Sequence, residues 1–101
     1  MINVTAAMTV REGCAQEFEQ AIAEARPHML ADEGCLRYDL QRVNRSETDY
    51  VLLEAYDSGD AIRRHGELEA FKELGRRLDS LLAAPPVITV LKPVGEQVAQ
   101  H

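Results

Sequence analysis

The chain has no surplus of positive charge: 11 lysines and arginines stand against 17 aspartates and glutamates, a formal net charge of −6. Such a chain repels phosphate backbones and anionic headgroups, which argues against nucleic acid and membrane surfaces as partners. It also lacks any apolar run approaching the ~18–20 residues that span a bilayer. The N-terminus enters an alternating pattern at once, with no basic n-region or cleavage site, so a cytoplasmic location is expected.

Cysteine is scarce. Cys14 falls where a first helix should begin and Cys35 just past its end. Some sixteen helical residues at 1.5 Å rise would separate them by roughly 24 Å, whereas a disulfide needs Cα atoms within about 7 Å. No intramolecular bridge is expected, which suits a reducing compartment. The three histidines, His28, His65 and His101, lie in unrelated segments, with no HxxxH or paired-cysteine motif for a metal. No glycine-rich phosphate loop or dinucleotide fingerprint is present. Repeats, linkers and low-complexity stretches are absent as well.

What is present reads as one domain of 101 residues, 46% hydrophobic and 28% charged. Residues 2–10 alternate, with Ile2, Val4, Ala6, Met8 and Val10 on one face of a strand. From Cys14 to about Ala31 the period becomes 3.6, and Phe18, Ile22, Ala25 and Met29 form an apolar stripe. Pro27 should kink this helix or loosen its last turn, and Gly34 should stop it. Cys35–Val43 reads as a second strand, with Leu36, Tyr38 and Leu40 on one side and Arg37, Asp39 and Gln41 on the other. A polar hairpin turn leads to a third strand, Tyr50–Asp57, that is apolar on both faces.

Ser58 is a candidate N-cap, with Asp60 placed against the helix dipole. Ala61, Ile62, His65 and Leu68 share one side of the helix that follows, and Gly66 should mark a bend. A longer helix then turns Leu68, Phe71, Leu74, Leu78, Leu81 and Leu82 inward until Pro85-Pro86 stops it. Val87–Leu91 is a short closing strand. The domain is taken as 1–94, with 95–101 a loose tail.

The order βαββαβ predicts an α+β, ferredoxin-like fold: a four-stranded antiparallel sheet with its helices on one face. The open face is apolar at about half its positions, and such patches are rare in monomers. Sheet-to-sheet pairing into a homodimer is therefore expected.

The chain resembles the antibiotic-biosynthesis monooxygenase superfamily of small dimeric α+β barrels. The resemblance rests on Arg11-Glu12-Gly13, on Glu33-Gly34-Cys35-Leu36-Arg37-Tyr38-Asp39 and on Leu53-Glu54-Ala55-Tyr56-Asp57-Ser58. It continues with Ala61 followed four residues later by His65, and with the closing stretch from Pro86 to Val94. It implies a cofactor-free oxygenase acting on a small aromatic substrate, working without flavin, haem or metal. The superfamily also holds haem degraders and an isomerase. Its haem degraders use an asparagine, a tryptophan and a histidine at positions that align with Ala6, Tyr56 and Gly75, none of which replaces its counterpart. The Glu54-Ala55-Tyr56 form resembles the subgroup that holds an isomerase of a phosphorylated sugar, which makes a small phosphorylated carbonyl compound the alternative substrate. A second histidine found in many members is here Ala70.

Within that frame His65 is the candidate general base, since an imidazole titrates near operating pH. The competing reading is a core histidine bonded to a backbone carbonyl or to Glu54. Tyr56 is assigned to catalysis with it, and Tyr38 to holding a phenolic or enolic oxygen, against plain packing for both. Glu54 shares a face with Tyr56 and, if buried, needs a partner; Arg37 or Arg42 is the expected one. Glu54 and Arg37 complete the candidate substrate-binding set, Arg37 also serving a phosphate in the isomerase reading. Arg63 and Arg64 are read as solvated. A non-catalytic dimer binding a small ligand is the third possibility.

Overall fold

In a computed structural model residues 1–95 are described. The chain runs β1 (Ile2–Thr9), α1 (Ala15–Leu30), β2 (Cys35–Arg42), β3 (Asp49–Tyr56), α2 (Gly59–Glu67), α3 (Glu69–Asp79) and β4 (Val87–Leu91). All pairings are antiparallel, in the order β2-β3-β1-β4, which is the expected ferredoxin-like sheet. The expected loose tail lies, apart from Gly95, outside the described residues. No described helix is long and apolar enough to cross a membrane.

The alternation read in the first strand holds: Val4, Ala6, Met8 and Val10 are buried toward the helices. Across the sheet Tyr38 pairs with Glu54, Glu54 with Val4, and Val4 with Val90, so these four side chains share that face. The stripe on α1 also holds, with Phe18 and Met29 fully enclosed. Phe18 stacks at a tilt on Tyr50, ring centroids 4.8 Å apart. The helix continues past Pro27 to Leu30.

Three local expectations are corrected. A bulge between Cys35 and Arg37 sets two residues of β2 against one of β3. Cys35 is therefore buried and Leu36 is thrown outward, 53% exposed, instead of sharing a face with Tyr38. The chain bends at Leu68 rather than Gly66: Leu68 takes an extended ψ of 138° and its carbonyl accepts from Phe71 and Lys72, opening α3. Gly66 stays helical. Gly34 does not cap α1, which ends at Leu30. Its role is close approach, because a Cβ there would stand 2.5 Å from that of Ala61.

The helices leave β4 uncovered on both sides: Val87, Ile88, Val90 and Leu91 are all exposed. The face of the sheet away from the helices also carries Ala7, Val51, Leu53 and Ala55. Cys14 and Cys35 are both free thiols.

Candidate functional site

The site begins with a register. On β3 the residues facing the helices are Tyr50, Leu52, Glu54 and Tyr56, so a period of two brings one carboxyl group into an otherwise apolar layer. Glu54 is 9% exposed, and among the described residues it has no arginine partner. The Tyr56 hydroxyl donates to its Oε1 instead. The expected arginines lie elsewhere: Arg42 pairs with Glu19 at 3.1 Å, and Arg37 with Asp39 at 2.9 Å. Arg37 pairs across the strands with Ala55, on the face away from the helices, so the bulge and the pleat keep it out of the site.

His65 reaches the same carboxyl from α2. Ser58 caps that helix as expected, its Oγ accepting from Ala61 N–H at 3.2 Å. Arg64 is not simply solvated: its guanidinium donates to both oxygens of Asp32, at 2.8 and 3.0 Å. Asp32 also accepts from Gly34 N–H at 2.8 Å. Arg64 and its donated bonds hold the Asp32 carboxyl down at about 2. This clasp, with the missing side chain at Gly34, pins the outer side of α2 to the start of β2. The neighbouring His65 is thereby presented inward. Arg63 remains exposed.

Nε2 of His65 lies 3.7 Å from Glu54 Oε1, within ion-pair range but too far for a hydrogen bond. Its Nδ1 is buried and unpartnered among the described residues, so neither a backbone carbonyl nor Glu54 saturates the ring. Such an orphan is costly in a folded chain unless something else occupies it. Three aromatic rings surround the imidazole: Phe71 at 5.1 Å, Tyr56 at 5.3 Å and Tyr38 at 5.9 Å.

Burial favours the uncharged form of every ionisable group here. It pushes the His65 imidazole down, with Asp32 offsetting part of the effect. It pushes Glu54 up, against the stabilising bond from Tyr56. The Tyr56 phenol is raised by burial and then by its bond to Glu54, and that of Tyr38 by burial and then by the Glu54 charge. The result is an imidazole that stays neutral at ordinary pH beside a carboxyl able to balance it once protonated.

His65, Glu54 and Tyr38 line a cavity of about 270 Å³ between the helices and the sheet, and Tyr56 is not among its lining residues. Tyr38, Glu54 and His65 are its polar members; Ala6, Phe71, Leu78 and Ile88 are among the apolar ones, together with Gly75. Among the described residues no lysine or arginine lines it, and no three His, Cys, Asp or Glu side chains gather as a metal would require. Of the residues singled out from the sequence, the structure brings together His65, Glu54, Tyr56 and Tyr38, and leaves Arg37 outside. Sequence reasoning missed the clasp, and it met Gly75 only through the alignment with the haem degraders' histidine, not as part of a cavity wall. The signal for Gly75 was available: it stands four residues after Phe71 and three before Leu78, inside the apolar stripe of α3.

Comparison with known proteins adds the following. The family model described as antibiotic biosynthesis monooxygenase matches residues 1–77. A candidate antibiotic biosynthesis monooxygenase from Caulobacter crescentus is 37% identical, with a TM-score of 0.87 over 93% of this chain and 90% of that one. A Mycobacterium tuberculosis protein is 25% identical, with a TM-score of 0.88 over 96% and 98%. A cofactor-independent oxygenase from Streptomyces nogalater shares the fold at 21% identity, with a TM-score of 0.83 over 94% of each chain. A comparison with curated proteins returns no match.

Proposed function

The chain belongs to the antibiotic biosynthesis monooxygenase family, and on that premise we propose that it is a cofactor-independent monooxygenase oxidising a quinol or similarly electron-rich phenol with O2. The observation that carries this reading is the buried imidazole of His65 on the wall of an apolar cavity, 3.7 Å from the Glu54 carboxyl and with Nδ1 unpartnered among the described residues. The oxygenase from Streptomyces nogalater supports it, because the same fold hosts cofactor-free oxygen chemistry there.

In this mechanism the His65 imidazole takes the phenolic proton, and the Glu54 carboxylate, 3.7 Å from Nε2, balances the new imidazolium. The phenolate, richer in electrons than the phenol, gives one electron to O2. Recombination of the resulting radical pair at a ring or benzylic carbon forms a peroxide anion, which takes the proton back from the His65 imidazolium to give a hydroperoxide. Loss of water then leaves one oxygen atom in the product as a carbonyl and the other in water. The substrate supplies all the electrons. Tyr38 orients the substrate oxygen, Tyr56 fixes the Glu54 carboxyl, and the apolar walls hold the substrate ring. The working unit is a homodimer closed through the uncovered face of the sheet, and the two free thiols suit a cytoplasmic setting.

The isomerase reading loses support: a phosphorylated substrate needs cations, and the cavity lining has none among the described residues. The test is oxygen uptake by extensively chelated protein on a panel of hydroquinones and anthrones, with His65→Ala beside it. Uptake that the variant loses is expected. Equal uptake by both would reassign the base, and no uptake by either would leave a ligand-binding protein.

A further inference from the structure

Burial around the cavity is uneven. Nine of its lining residues are buried, and the four exposed ones are Phe71, Gly75, Pro86 and Ile88. These four belong to α3 and to the chain entering β4, so the mouth lies between those two elements. Ile88 pairs with the buried Ala6, on the helix side of the sheet. A second copy on the opposite face therefore leaves this mouth free.

Phe71 differs from the other three. The helical stripe of α3 turns it toward the sheet with Leu74 and Leu78, yet those two are 8% exposed and Phe71 is 43% exposed. Its ring meets the His65 imidazole edge-on instead, with centroids 5.1 Å apart and planes at 65°. A side chain half in water and half against a buried imidazole stands between the two. An exposed side chain changes rotamer within picoseconds to nanoseconds, so opening needs the loss of one edge contact and no displacement of α3. We infer that ligands reach His65 between α3 and β4, and that Phe71 controls this passage by covering the imidazole. The inference takes from the proposed function only that His65 is the group a ligand must reach, and it does not depend on oxygen chemistry.

The experiment follows carbethoxylation of the histidines by diethyl pyrocarbonate, residue by residue from peptide masses. It is run above the imidazole reference value of 6.5, so that protonation of His65 does not limit the rate. The exposed His28 is the internal standard. Wild-type His65 should react more slowly than His28. Phe71→Ala should speed His65 alone by about two- to tenfold, the factor by which losing one aromatic edge contact shifts an opening equilibrium. Phe71→Trp should restore the slow reaction. Ile88→Trp adds bulk at an exposed position on the other side of the mouth and should slow His65 below wild type, a test that stands even if Phe71→Ala fails to fold. Leu78→Ala loosens α3 from its buried side and leaves the mouth intact, so its effect should be the smaller. A wild-type His65 as fast as His28, a rate unmoved by Phe71→Ala or by Ile88→Trp, or an equal gain in Leu78→Ala would each overturn the inference. The expected rates without oxygen uptake would sink the oxygenase reading and leave the passage standing. Oxygen uptake with His65 rates indifferent to positions 71 and 88 would do the reverse.

Discussion

His65 and Glu54 face each other across the helix–sheet cleft at 3.7 Å, both buried, and burial pushes each toward its uncharged form. Their effects on stability therefore run in opposite directions with pH. The folded value of His65 is below its reference of 6.5. Its favourable contribution is full above 6.5 and is lost as pH falls from there through the folded value, because only the unfolded chain binds the proton readily. The folded value of Glu54 is above its reference of 4.5. Its contribution is full below 4.5 and is lost as pH rises through the folded value. Thermal melts against pH should show the acid-side slope flattened in His65→Phe and the opposing slope flattened in Glu54→Gln. Wild-type slopes in both variants would mean that neither group titrates as its burial requires.

The same pair sets the expected kinetics. Because only neutral imidazole accepts a proton, activity should fall on acidification with an inflection below 6.5. His65→Ala should lose about 10²- to 10⁴-fold in kcat, the usual range for one general base. Glu54→Gln keeps an oxygen for Tyr56 to bond but removes the charge that balances the imidazolium. A smaller loss, with the inflection moved further down, is expected. An inflection that moves up in Glu54→Gln would count against this pairing.

Tyr56→Phe removes the donor to a buried carboxyl. Leaving such an acceptor short of its partner costs about 1–3 kcal/mol, to be read by urea denaturation. The bond also lowers the Glu54 value, so its loss should raise that value further and leave less carboxylate to support His65. A fall in kcat without a matching rise in KM would separate this effect from lost substrate contact. A variant as stable and active as wild type would leave Tyr56 with packing alone.

Gly34→Ala is expected to be the most disruptive single methyl addition near the site. The new Cβ would stand 2.5 Å from the Ala61 Cβ, 2.8 Å from Arg64 Nη2 and 2.9 Å from Asp57 Oδ1. Overpacking of this kind costs about 1–3 kcal/mol, and α2 must move away and take His65 with it. Stability and activity should fall together. Gly75→Ala makes the contrasting case: it meets nothing and should gain about 0.5–1 kcal/mol from helix propensity. Calorimetric melts of the two variants side by side check the contrast; equal shifts would mean that the approach at Gly34 relaxes freely.

Much of this was legible from periodicity. The faces of the first and third strands, the stripe on the first helix and the Ser58 cap follow from spacings of two and 3.6 residues, which local sterics enforce. The same logic placed His65, Glu54, Tyr56 and Tyr38 on surfaces that meet. It failed where a feature depends on what lies across a gap. The bulge that exposes Leu36 is a mismatch between two strands and has no signature in either alone. Arg37 looked like a partner for Glu54 because arginine usually accompanies a buried carboxylate, yet the pleat puts it on the other face. Arg64 and Asp32 are 32 residues apart, and only the docking of α2 onto the start of β2 makes them a clasp. Gly34 reads as a helix stop because most glycines after helices are, but here an approaching methyl group decides.

The remaining prediction concerns the uncovered side of the sheet. Val87 is 64% exposed and Leu91 43%, on the strand that the helices leave bare, and the same face continues through Ala7, Val51 and Leu53. A patch of this kind, in contact with water, costs free energy at about 25 cal/mol per Å² of apolar surface, and a second copy facing it would recover that cost. Light scattering on the wild-type chain should give twice the chain mass at micromolar concentration. Val87→Glu with Leu91→Glu should halve it, since two carboxylates would meet two others across a two-fold axis. Circular dichroism would show whether the halved species keeps its helices and sheet. A wild-type chain that runs as a monomer would remove sheet pairing from the proposed working unit, and the exposed strand would then need another cover.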